Sequence, residues 1–133
     1  MQPGRPERLN EAARAGDAIA QGDLLLMVVD LESVQDTSAI PADQVRPSMV
    51  QLVPGNSEGA RHCLDSLEGV TFYQTRPGRW FMDVNDPLAI FHCSQERTVL
   101  HPVHGPVIIA AGHTIAAYQQ RELVNGREQR MVD

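Results

Sequence analysis

Short hydrophobic runs, closed at brief intervals by turn residues, constrain the fold of this chain more than any other feature. Val70–Thr75 is closed by Arg76-Pro77-Gly78, and Arg79–Val84 by Asn85-Asp86-Pro87. Then come Leu88–Cys93, Arg97–His101, Pro106–Ala110, His113–Gln120 and a last run near Glu128–Val132. A short run starts earlier, around His62–Leu64. Helices need longer windows with a 3.6-residue period, so runs of this length bounded by Gly, Pro and Asn read as strands. The Asn125-Gly126 step between two extended runs adds a hairpin signal, because both residues tolerate the positive φ of a tight two-residue turn. About eight short strands punctuated in this way predict a mainly β domain, either a small antiparallel barrel or a sandwich.

The first half of the chain fits that class less regularly. Leu24–Val29 follows the turn residues Gly22-Asp23 and is apolar throughout, the pattern of a strand buried on both faces. Residues 31–47 have no period and carry Ser33, Asp36, Ser38, Pro41, Asp43 and Pro47, which predicts a long loop. Strand character returns at Met49–Val53, and Pro54–Gly59 is a strong turn. Before all this, Glu7–Ala15 combines good helix formers with Pro6 ahead and Gly16 behind. Residues 1–21 are therefore expected to be a short helix or a tail, and residues 22–133 a single β domain.

Composition narrows the function classes. A chain of 133 residues that is 42% hydrophobic has enough apolar material for one core and is too short for two. Its net charge of −6 argues against binding a nucleic-acid backbone, which needs a basic face. Arg121, Arg127 and Arg130 do not make one, because Glu122, Glu128 and Asp133 lie among them. The N-terminus lacks the apolar segment of a secretory leader, and no apolar run approaches the length of a membrane span. Cys63 and Cys93 form no C-x-x-C pair and fit free thiols in a reducing compartment. The expectation is a cytoplasmic protein with no membrane or nucleic-acid partner.

The chemically distinctive segment is His101-Pro102-Val103-His104-Gly105. Pro102 fixes φ and Gly105 permits unusual φ, so the segment predicts a tight corner between two strands. An H-x-x-H corner can aim two imidazoles at one point, as a zinc-like divalent metal requires, or present one of them as a general base. With His62 added, His101 and His104 make the candidate metal set, although two nearby ligands are fewer than a structural zinc site uses. The alternative is that these histidines cap the corner by bonding its backbone carbonyls. Arg61 beside His62 is a candidate anion ligand, or simply the start of a strand with alternating faces. His92 and Cys93 end a strand, with Cys93 expected inside as a small hydrophobe.

Other chemistries find no support in the sequence. It contains no G-x-S-x-G elbow, P-loop or G-x-G-x-x-G. Asp83 and Asp86 lie at a turn, where acids are common for capping reasons alone. Phe72, Tyr73, Trp80 and Phe81 read as packing residues, because only Arg76 and Arg79 are interleaved with them.

The ordered set Gly22-Asp23-Leu24-Leu25-Leu26, Gly59-x-x-His62, His101-Pro102-x-His104-Gly105, Ala111-Gly112 and Gln120-Arg121-Glu122 resembles a family of short bacterial proteins. The resemblance spans roughly residues 20–133. It implies an all-β fold and no particular activity. It carries over His62, His101, His104 and Arg121 as the positions of interest. Ala60 and Thr114 depart from the pattern, where relatives have a histidine and a tyrosine.

These readings together favour a non-catalytic β module that works by binding, as a structural or interaction subunit with a protein partner or in self-association, and with no cofactor. The long loop at 31–47 is a candidate interaction arm. The alternatives are a metal- or small-ligand-binding protein built on His62, His101 and His104, with Arg61 and Arg121 as ligand contacts, and a hydrolase or isomerase with a histidine base.

Overall fold

The computed structural model describes residues 5–33, 38–53, 62–74, 87–119, 121–124 and 127–130. Its strands are β1 (Glu7–Leu9), β2 (Ala18–Gln21), β3 (Leu24–Val29), β4 (Ser38–Ala39), β5 (Cys63–Leu64) and β6 (Val70–Gln74). They continue with β7 (Ala89–Cys93), β8 (Arg97–Leu100), β9 (Val107–Ile109), β10 (Thr114–Gln119), β11 (Arg121–Val124) and β12 (Arg127–Arg130). Most lie within a residue or two of the runs read from the sequence. The expected strand at 79–84, the turn at 54–59 and the Asn125-Gly126 step fall outside the described residues.

Two sheets carry the fold, and neither closes into a barrel. One has four strands in the order β1-β9-β8-β5, and the other six in the order β2-β3-β10-β7-β6-β4. A sandwich-like architecture therefore answers the choice between barrel and sandwich. Within the larger sheet β10 is central, with Ile115 opposite Val28 on one side and Phe91 on the other. The hairpin of β11 with β12 sets Val124 opposite Arg127, the register expected around a two-residue connection.

Alternation along the strands decides what lies between the sheets. From the larger sheet, Leu24, Leu26, Val28, Phe72, Phe91, Ile115 and Ala117 point into one core. Leu9, Leu64, Val99, Val107 and Ile109 meet them from the smaller sheet. Cross-strand pairing fixes this register, since a one-residue slip would turn each strand's apolar set to the opposite face. β10 is buried on its other face as well, with Ala116 at 1% exposure.

Four local expectations change. Residues 7–15 form no helix: Glu7–Leu9 pair in parallel with Val107–Ile109, and Leu9 is buried. The helical stripe there is too weak to compete with placing Leu9 in the core, and Gly16 turns the chain into β2 at φ 97°. β3 is not buried on both sides, since Leu24, Leu26 and Val28 are buried while Leu25, Met27 and Val29 are half-buried. Met49 lies in a 3-10 turn at Pro47–Val50 that Pro47 opens, and only Gln51 makes a bridge, to Cys63. The described part of the 31–47 stretch contains two further 3-10 turns and β4, so it is not wholly irregular.

Candidate functional site

One end of the core is polar. His62 precedes β5 and shares the inward parity of Leu64, while His101 follows β8 and shares that of Val99. Both rings therefore enter between the sheets, at 3% and 7% exposure. From the larger sheet, Gln21 ends β2, Asp23 follows in the turn to β3, and Gln119 ends β10. The structure thus brings together the three histidines singled out in the sequence. The ring centroids of His62 and His101 are 4.6 Å apart, and those of His101 and His104 are 4.5 Å apart.

The hydrogen bonds fix what each group is doing. The Gln21 amide nitrogen donates to the Val99 carbonyl at 2.9 Å and the Gly105 carbonyl at 3.0 Å. Its oxygen is therefore left as an acceptor, 2.9 Å from His62 Nδ1. The other ring nitrogen, Nε2, is 2.8 Å from Asp23 Oδ1. Two nitrogens facing two acceptors suit a ring with hydrogen on both, the geometry of an imidazolium paired with the Asp23 carboxylate. Gln119 donates to the second carboxylate oxygen at 3.3 Å. A buried pair of this sort is tolerable because the charges cancel and neighbouring polar atoms complete their bonds.

His101 has the opposite role. Its Nδ1 accepts the backbone N–H groups of Val103 and His104, each at 3.0 Å. The ring caps the corner, but through backbone donors rather than the carbonyls expected from the sequence. In its neutral form the ring hydrogen is on Nε2. The corner is thereby tied to β8 by His101 and to the larger sheet by the Gln21–Gly105 bond.

The contacts of His62 do not suit a metal ligand. A ligand imidazole must offer a lone pair, and both nitrogens of His62 instead face acceptors. Among the described residues, no group of three or more His, Cys, Asp or Glu is placed to hold a metal ion. Arg61 lies outside the described residues, as does the side chain of Arg121, whose backbone is in β11.

Sequence reasoning missed Gln21, Asp23 and Gln119. Asp23 looked like an ordinary turn residue beside Gly22. Gln21 carried the better clue, since it occupies an inward position of a strand whose neighbours are apolar.

A second polar place lies at the far side of the larger sheet. An open cleft of about 490 Å³ is lined by Asp30, Glu32, Tyr73, His92, His113 and Thr114 among others. His92 Nδ1 bonds the Thr114 hydroxyl across the β7–β10 pair at 2.9 Å. His113 Nε2 donates to the Asn10 carbonyl at 2.6 Å and so holds the N-terminal segment.

The cysteines are free. Burial pushes the Cys93 thiol up to about 12 and raises that of Cys63 as well, so neither has the low pKa of an activated nucleophile. No helix among the described residues is long and apolar enough to cross a membrane.

Fold and cluster define a class: a two-sheet β domain whose histidine corner is stitched into its own core. A family model described as Domain of unknown function (DUF8820) matches residues 20–120, and the chain belongs to that family. No curated protein and no solved structure matches it.

Proposed function

We propose that the chain is a non-catalytic binding module that presents its histidine corner to a protein partner. The observation that carries this is the internal commitment of the histidine cluster. Both nitrogens of His62 and the Nδ1 of His101 are engaged by the protein itself. A general base needs a free basic nitrogen within reach of substrate, and His62, at 3% exposure, meets neither condition.

What the cluster supports is the shape of the corner. Leu100 and Val103 stand on it at 46% and 41% exposure, beside the buried His101. Two large apolar groups held out on a braced turn can fill a partner's pocket with little loss of conformational freedom. The net charge of −6 favours a partner with basic residues around that pocket and disfavours a second copy of the chain. Two free cysteines support a reducing compartment such as the cytoplasm.

The test is the native mass of the tagged chain in cells of its source, for the wild type and for Val103→Glu. The reading predicts a complex larger than the chain, weakened by salt and lost in the variant, while the variant's melting temperature is unchanged. A wild-type chain found only as a monomer, or a complex that survives Val103→Glu, overturns it.

A further inference from the structure

We propose that the His101–Gly105 corner is a proton-sensitive clasp, closed while His101 is neutral and released from the sandwich when His101 takes up a second proton. The inference goes beyond the binding role and does not depend on the corner being the contact surface.

The clasp follows from where a proton could enter. His101 Nδ1 accepts from the backbone nitrogens of Val103 and His104 at 3.0 Å each. With the neutral ring's hydrogen on Nε2, the second proton must be placed on Nδ1, where two N–H groups already point. Acceptor becomes donor, so both bonds are lost and three hydrogens converge on one another. The alternative to that clash is for the corner to swing away from the ring.

The surroundings make the extra charge costly too. His62 faces His101 from the segment before β5, with its ring centroid 4.6 Å away, and the two acceptors on its nitrogens favour its cationic form. His104 faces it from the corner itself at 4.5 Å. From the larger sheet, Gln21 and Asp23 bond to His62 in the same cluster, and Gln119 bonds to Asp23. Asp23 is the carboxylate in this set, and its 2.8 Å bond runs to His62. Burial of His101 at 7% exposure, with any charge on His62 this close, opposes protonation.

The sign of the effect is fixed by these contacts. The unfolded chain protonates His101 over the ordinary histidine range, near about pH 6.5, while the closed fold resists. Below that range the unfolded or opened state binds more protons, so stability and closure fall as pH falls. The limit is about tenfold in the equilibrium constant per pH unit for one proton. Release would also break the Gln21–Gly105 bond, which joins the corner to the larger sheet.

The experiment compares the full chain with His101→Asn. An asparagine oxygen can accept the same two N–H groups and does not titrate near neutrality. Equilibrium unfolding at steps between pH 8 and 5 should show a wild-type folding constant falling roughly three- to tenfold per unit below about pH 6.5. His101→Asn should lack that limb. In the wild type, amide-exchange protection at Val103 and His104 should drop over the same range. Equal pH dependence in both proteins overturns the clasp. So does a His101 ring that titrates while those two amides stay protected. Should His101→Asn fail to fold, the wild-type amides decide the matter.

Discussion

Removing the imidazole of His62 while leaving its partner in place is the perturbation whose cost is easiest to work out. His62→Leu keeps an apolar side chain in the core but removes the imidazole bonded to Asp23. The carboxylate, at 6% exposure, then lacks its imidazole partner and keeps the 3.3 Å bond from Gln119. The Gln21 oxygen also loses its donor, because the amide's other end is held by Val99 and Gly105. Breaking a buried ion pair from one side costs about 3–5 kcal/mol, and a stranded neutral acceptor about 1–3 kcal/mol. Domains of this size have about 5–15 kcal/mol in all, so the variant should be near the edge of folding. Denaturant unfolding followed by far-ultraviolet circular dichroism measures the loss directly. The double variant His62→Leu, Asp23→Leu supplies the decisive comparison, since it removes both members of the pair and should recover much of the loss. A single variant that loses less than about 1 kcal/mol would refute the buried pair. A double variant that loses the sum of the two singles would refute it equally.

The cysteines and one glycine offer further checks. In the folded protein at pH 8, Cys93 should not react with a disulfide reagent and Cys63 should react slowly, because burial disfavours both thiolates; denaturation should expose two fast thiols. Since folding raises the Cys93 pKa to about 12, its contribution to stability is complete below the unfolded thiol range and is lost as pH rises towards that value. Unfolding curves of Cys93→Ala should therefore show a smaller alkaline decline than the wild type, the remainder coming from Cys63. Gly69→Ala should destabilise more than Gly112→Ala. Both residues have positive φ, but a Cβ at Gly69 would lie 2.7 Å from the Gln95 side chain and 2.8 Å from the Ser94 hydroxyl, whereas Gly112 has open space. The conformational part alone is about 1–2 kcal/mol in each, so comparing their thermal midpoints isolates the steric part. Equal losses would count against the packing described at Gly69.

The strands could be read from the sequence wherever short range decided them. Val70–Gln74, Ala89–Cys93 and Thr114–Gln119 have alternating or apolar runs and clear punctuation, and the structure agrees closely. Glu7–Leu9 could not be read this way, because its strand exists only through pairing with Val107–Ile109, about a hundred residues on. Helix propensity over so short a stretch is small beside the burial of one leucine. The Met49 region went astray for the opposite reason, since Pro47 sets a local turn that apolar content alone does not reveal. At the site, the H-P-x-H-G spacing marks the corner, and the structure places His62 beside His101. Its partners could not be seen, because Gln21, Asp23 and Gln119 converge only when the two sheets stack. The role of the cluster depends on those partners, which engage both nitrogens of His62 and link the corner to the larger sheet.

The central claim is that these histidines join the sheets and are not ligands or bases in waiting. Nitrogen-15 NMR of the ring nitrogens at pH 7.5, with and without added zinc, tests it most directly. The account predicts hydrogen on both nitrogens of His62, hydrogen on Nε2 only for His101, and no change in either ring when zinc is added. A neutral His62, or His62 and His101 signals that shift together at stoichiometric zinc, would contradict it.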